Sequence, residues 1–122
     1  MVYIVMIKAP RKRGITHEYF KARYEQHMLM VADLCGDAAP LSHTRFYPHH
    51  DSATDTPVLL AGNVDQIGDS VIVLMEFKDE GAFGRFTAAL TTEDANAKIM
   101  EDEAGFWERE GMKVMTVDKL GS

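Results

Sequence analysis

The sequence holds one cysteine, Cys35, in 122 residues. No disulfide can form within the chain, and a reducing, cytoplasmic compartment is expected. A lone cysteine of this kind reads as a small core residue rather than a nucleophile. Long hydrophobic runs are missing too. None approaches the roughly 20 residues of a membrane span, so no membrane partner is expected. Positive charge is in deficit: 13 basic against 19 acidic residues leave a net charge of −6, which argues against nucleic acid as a partner. The local exception, Lys8 to Arg13, holds four basic residues in six, with Pro10 inside it and Gly14 after it, and reads as a solvated loop. Gly-rich phosphate loops and a GxSxG elbow are absent.

What is present fits one globular domain over residues 1–122, large enough for a single core, since 46% of residues are hydrophobic and 26% charged. Residues 2–8, apolar up to Lys8, have no basic stretch before them and no cleavage site after them, and are expected to form a first strand rather than a signal peptide. Thr16 is a suitable N-cap for a helix running to about Asp33, with Gly36 as its stop. Leu41 to Tyr47 favours a strand that Pro48 ends. From His49 to Gly68 the composition is that of a long loop, a candidate lid. Ser70 to Phe77 is the clearest strand, and Asp79 caps a helix over Glu80 to Leu90 with Phe83, Phe86 and Leu90 on its buried side. A third helix is expected from Glu93 to about Trp107, bringing Ile99, Met100, Glu103 and Phe106 to one side. A last strand is expected from Lys113 to Lys119.

The order β-α-β, loop, β-α-α-β is that of an α+β, ferredoxin-like split βαβ fold with a four-stranded antiparallel sheet. Helices on one face leave the other bare, yet the first and third strands are apolar on both faces. A second copy covering the bare face, in a homodimer whose two sheets form a barrel, is the expected resolution.

Phe20, Tyr24, His27, Val31 and Leu34 recur at helical spacing and make a stripe that faces a core. His27 is its ionisable member. Histidine titrates nearest neutral pH and suits a general acid or base; the other reading is a core histidine bonded to a backbone carbonyl. Tyr24, one turn earlier, either orients a phenolic substrate and donates a proton or simply packs. His43, Arg45 and Tyr47 share one face of the second strand, and Arg45 suits a carboxylate or enolate oxygen. Asp69 is a candidate second acid or base, or part of a turn. Phe20, Phe83, Phe86 and Trp107, with His43 and Tyr47, are expected to wall a substrate pocket. His43, His49, His50 and Asp51 offer ligand atoms, but their spacing matches no zinc pattern and no metal is expected.

Lys12-Arg-Gly-Ile-Thr-His-Glu-Tyr-Phe20 followed by Tyr24-Glu-Gln-His27 resembles the opening signature of EthD-domain proteins. Asp69 to Phe77 is similar to that family's third strand, and Asp102-Glu-Ala-Gly-Phe106 to its late acidic-then-aromatic segment. In one departure, no proline follows His27 by two positions, and Asp51 to Gly62 is longer than a minimal member needs. The resemblance implies a dimeric α+β barrel with a pocket between sheet and helices. It implies no cofactor, a small aromatic or polyketide-like substrate, and catalysis by proton transfer at the histidine: dehydration, decarboxylation or cyclisation by a lyase or isomerase. Cofactor-free oxygenation and a non-catalytic, ligand-binding accessory role are the alternatives it also covers.

Overall fold

The apolar run at the start of the chain forms β1 (Tyr3–Ala9). The chain continues through α1 (His17–Cys35), β2 (Ser42–Phe46), a short ribbon of β3 (His50–Asp51) and β4 (Thr56–Pro57), β5 (Val71–Phe77), α2 (Glu80–Leu90), α3 (Glu93–Glu103) and β6 (Lys113–Thr116). The structure, a computed structural model, describes residues 2–121, the side chain of Gln66 excepted. The main sheet runs β2-β5-β1-β6 with every pair antiparallel. That order, in which the two halves of the chain interleave, is the ferredoxin-like plan.

Burial alternates strictly along β5, where Val71, Val73, Met75 and Phe77 point to the helices and pack with Val5 and Ala9 of β1. This period-two pattern fixes the register, because a slip of one residue would turn every buried side chain outward. Phe20 and Tyr24 of α1 and Phe86 of α2 close the core from above. The opposite face of the sheet carries Met6, Phe46 and Leu74, and Phe46 is half exposed.

The ends of α1 are set by its own sequence. The Thr16 hydroxyl accepts from the Tyr19 N–H at 3.1 Å, and Gly36, at φ 48°, takes a backbone form that side chains disfavour and stops the helix. The helix ends at Cys35, slightly beyond the expected Asp33. The third helix is shorter than its pattern suggests. It stops at Glu103 rather than near Trp107 because the following residues pair with the basic loop: Lys12 N–H donates to Phe106 O at 2.9 Å and Glu108 N–H to Pro10 O at 2.9 Å. Those bonds turn Phe106 and Trp107 into the core. The chains come so close there that a Cβ on Gly111 would lie 2.6 Å from Pro10 Cγ. The last strand ends at Thr116 rather than Lys119, after which Val117 N–H still reaches Ile4 O at 3.1 Å.

The segment expected to be a featureless loop contains the β3–β4 ribbon, whose turn holds Asp55 at φ 55°, a left-handed form that aspartate tolerates. Asp55 Oδ1 accepts from the His17 N–H at 3.0 Å, and its carboxylate also binds Arg11. The ribbon is thereby pinned to the start of α1.

Candidate functional site

A cavity of about 290 Å³ lies between the sheet and the three helices. Its wall is mainly apolar, with Met28 and Val31 from α1, Met75 from β5, Phe86 and Leu90 from α2 and Ile99 from α3. Tyr24, His27, His43, Glu103 and Trp107 also line it.

His27 is 2% exposed and has a carboxylate on each side. Its Nδ1 lies 2.7 Å from Asp102 Oδ2, and its Nε2 lies 3.5 Å from Glu103 Oε2. The ionised carboxylate of Asp102 can only accept, so Nδ1 carries a proton in this pair. Asp102 is itself held by Arg23, whose guanidinium donates to Oδ1 at 3.0 Å. Partial burial pushes the Asp102 carboxyl up, but the hydrogen bonds from His27 and Arg23 outweigh it and leave its pKa below the ordinary value. Asp102 therefore stays charged and keeps the imidazole in one orientation. Glu103, 7% exposed, is tied on its other side to Arg109.

Tyr24 stacks beside His27 and tilts against Trp107, with ring centroids 6.3 and 5.4 Å away. Burial raises its phenol pKa well above 10, so it remains a neutral donor. His43, on the helix-facing side of β2, has its pKa lowered by burial first and by Arg45 second. Its Nε2 and the Nε1 of Trp107 are buried and have no hydrogen-bond partner among the described residues.

The structure gathers His27, Tyr24, His43, Phe86 and Trp107 of the sequence-derived candidates in one wall, and it leaves the others elsewhere. Arg45 does not reach the cavity: its guanidinium grips Glu25 of α1 through two bonds of 2.7 and 2.9 Å, and the Tyr47 hydroxyl donates to the same carboxylate. These groups line a shallow surface cleft with Lys21. Asp69 binds Lys113 at 3.0 Å and Lys8 at 3.6 Å at the start of β5, where it serves as an ion-pair anchor. Phe20 is fully buried behind Tyr24, and Phe83 packs on Tyr3 and Phe77 in the core. Among the described residues, none from 49–68 lines the cavity. Asp102 and Glu103 were noted in the sequence only within the Asp102 to Phe106 motif, Glu103 also on the stripe of α3, and neither they nor Arg23 were read as site residues. An acid on a buried stripe was the available signal.

Residues 12–110 match the EthD domain. The chain belongs to the EthD-domain family. Solved structures agree on the fold of this EthD domain. An EthD family protein from Bacillus halodurans C-125 superposes with a TM-score of 0.55 at 10% identity, covering 98% of this chain and 99% of that one. An EthD-like protein from Ralstonia eutropha JMP134 is 18% identical with a TM-score of 0.53, covering 93% and 89%. A dimeric ferredoxin-like protein of unknown function from Jannaschia sp. CCS1 gives 0.57 at 11% identity, covering 98% and 100%. No curated protein sequence matches the chain.

Proposed function

We propose that this EthD domain is a small cofactor-independent enzyme of the lyase or isomerase type, in which His27 moves a proton on an aromatic or polyketide-like substrate. The observation that carries the reading is the pairing of His27 Nδ1 with Asp102 at 2.7 Å in the wall of an otherwise apolar cavity. A histidine fixed in this way presents Nε2 as a base, and low surrounding polarity strengthens every charge formed beside it. Nε2 takes the proton from a carbon next to a carbonyl, and the C–H electron pair passes into the enolate. The same nitrogen then returns the proton, either to that carbon or, through Glu103 Oε2 at 3.5 Å, to another. Elimination, decarboxylation and ring closure all share this enolate.

Exchange of the acidic benzylic α-proton of β-tetralone in deuterated buffer, followed by NMR, tests the reading without knowledge of the natural substrate. The protein should accelerate exchange, and His27→Ala should reduce that acceleration about 10²- to 10⁴-fold with its melting temperature nearly unchanged. A variant that melts several degrees lower but exchanges at the parental rate would make His27 a structural residue.

The working unit in this proposal is a homodimer joined through the open face of the sheet. Support comes from Phe46, 50% exposed, and Met115, 39% exposed, on the face that the helices leave bare, and from the dimeric ferredoxin-like protein of the same fold. Light scattering should give twice 13.7 kDa, and a monomer at micromolar concentration would remove this part.

A further inference from the structure

The hydrogen bond and the ring stack that join the β3–β4 ribbon to α1 both end on His17. Asp55 Oδ1 accepts from the His17 N–H at 3.0 Å, and the same carboxylate pairs with Arg11 at 3.0 Å. The imidazole of His50 lies flat on that of His17, with centroids 3.5 Å apart. Inside the ribbon, Asp55 N–H donates to Asp51 O and Val58 N–H to His49 O, each at 2.8 Å. Those bonds close the ribbon on itself and do not tie it to the helix.

The joint is a poor place for a positive charge. His17 is 2% exposed, and its Nδ1 has no hydrogen-bond partner among the described residues. His50 Nδ1–H donates to Pro48 O at 2.7 Å, which holds its ring in the stack. Around His17 stand Arg11 from the loop after β1, Glu18 and Lys21 from α1 itself, Tyr47 after β2, and His50 and Asp55 from the ribbon. The two carboxylates are already engaged, Asp55 with Arg11 and Glu18 with Lys21. A proton on His17 therefore meets a dry site, a second imidazole and two cations, whereas in an open ribbon water would hydrate the same charge.

We propose that the β3–β4 ribbon is an acid-released strap: uptake of a proton by the stacked pair of His17 and His50 frees the ribbon from the start of α1 and uncovers the aromatic surface that His17 forms with Tyr47. The strap is independent of the chemistry in the cavity, which no described residue of the ribbon lines. The direction follows from linkage. With the ribbon closed, burial, the facing His50 and the nearby cations lower the His17 pKa from 6.5 to about 4, so opening takes up a proton between these values. The closed form is fully favoured above pH 6.5 and loses ground as pH falls toward about 4.

Amide hydrogen exchange resolved by NMR, corrected for the intrinsic pH dependence of exchange, tests the strap directly. The His17 N–H is covered by Asp55 and reports whether the ribbon is seated; the amides of β5 paired with β1 report whether the rest of the fold stays closed. From pH 7 to pH 5 the protection at His17 should fall about twentyfold, the linkage value for one proton, while the β5 amides hold within about twofold. His17→Phe, which keeps a ring against His50, should hold the amide at position 17 within about twofold over the same range. Should that variant not fold, the His17 Cε1–H resonance of the parent decides, because it should shift over the same pH range in which the amide loses protection. Protection at His17 that is unchanged at pH 5, or lost together with that of β5, would overturn the proposal. So would a full loss in His17→Phe, or a loss in the parent that the His17 ring does not follow.

Discussion

His17 and His27 share the buried stripe of α1, and each is 2% exposed, yet the two ends of the helix treat an imidazole in different ways. At the cavity, His27 lies between the carboxylates of Asp102 and Glu103. At the N-terminal end, His17 stacks flat on His50, with centroids 3.5 Å apart and planes 7° from parallel, while Tyr47 and Phe20 pack around it. Its Nδ1 has no partner among the described residues. Burial, then the facing His50, then Arg11 and Lys21 push its pKa down to about 4. Equal burial thus accompanies two settings: one histidine is flanked by carboxylates, the other is stacked against the ribbon among cations and a second imidazole.

The sharpest way to break this contrast is to exchange the two losses. If His27→Ala reduces β-tetralone exchange by the 10² to 10⁴ expected of a general acid or base, His17→Phe, which retains an aromatic face for His50, should leave the rate within about twofold. A comparable fall in both would mean that the ribbon end governs the cavity, and the separation of roles would be lost.

A pH series of melting temperatures tests the other half. His17 has a folded-state pKa of about 4 against an ordinary 6.5, so between these values the unfolded chain binds more protons than the folded one. Stability from this group is fully present above pH 6.5 and is lost as pH falls toward about 4. The parent should therefore melt progressively lower across that window, and His17→Phe should flatten the descent, since the group whose pKa folding depresses is gone. An unchanged slope in the variant would assign the acid sensitivity to other groups.

The contrast also shows what the sequence could and could not display. The stripe that carries His27, the Thr16 cap and the Gly36 stop depend on neighbours within a turn or two, and were legible for that reason. So were β1 and β5, whose apolar runs are long enough to show their character. Asp102 was not legible, because it sits beside Glu103 on α3 and reaches His27 only through the crossing of two helices distant in sequence. Alternation put Arg45 on one face of β2 with His43 and Tyr47 but could not reveal Glu25 waiting across on α1. Strands of two residues, such as β3 and β4, are shorter than any period can resolve.

The smallest expected effect concerns Arg45, the candidate that the fold turned away from the cavity. Its pair with Glu25 is well aligned, and the hydrogen bond from Arg45 comes first among the influences that lower the Glu25 pKa. The side chains nonetheless remain 28% and 42% exposed, and water at such sites offsets most of the attraction, so pairs of this kind contribute about 0–1 kcal/mol. Arg45→Ala should lower the melting temperature by only a degree or two and leave β-tetralone exchange unchanged. The control is informative because His43 lines both the cleft holding Arg45 and the cavity holding His27. If Arg45→Ala slowed exchange tenfold with the melting temperature intact, the two regions would be joined through His43, and Arg45 would act on the site by way of that ring.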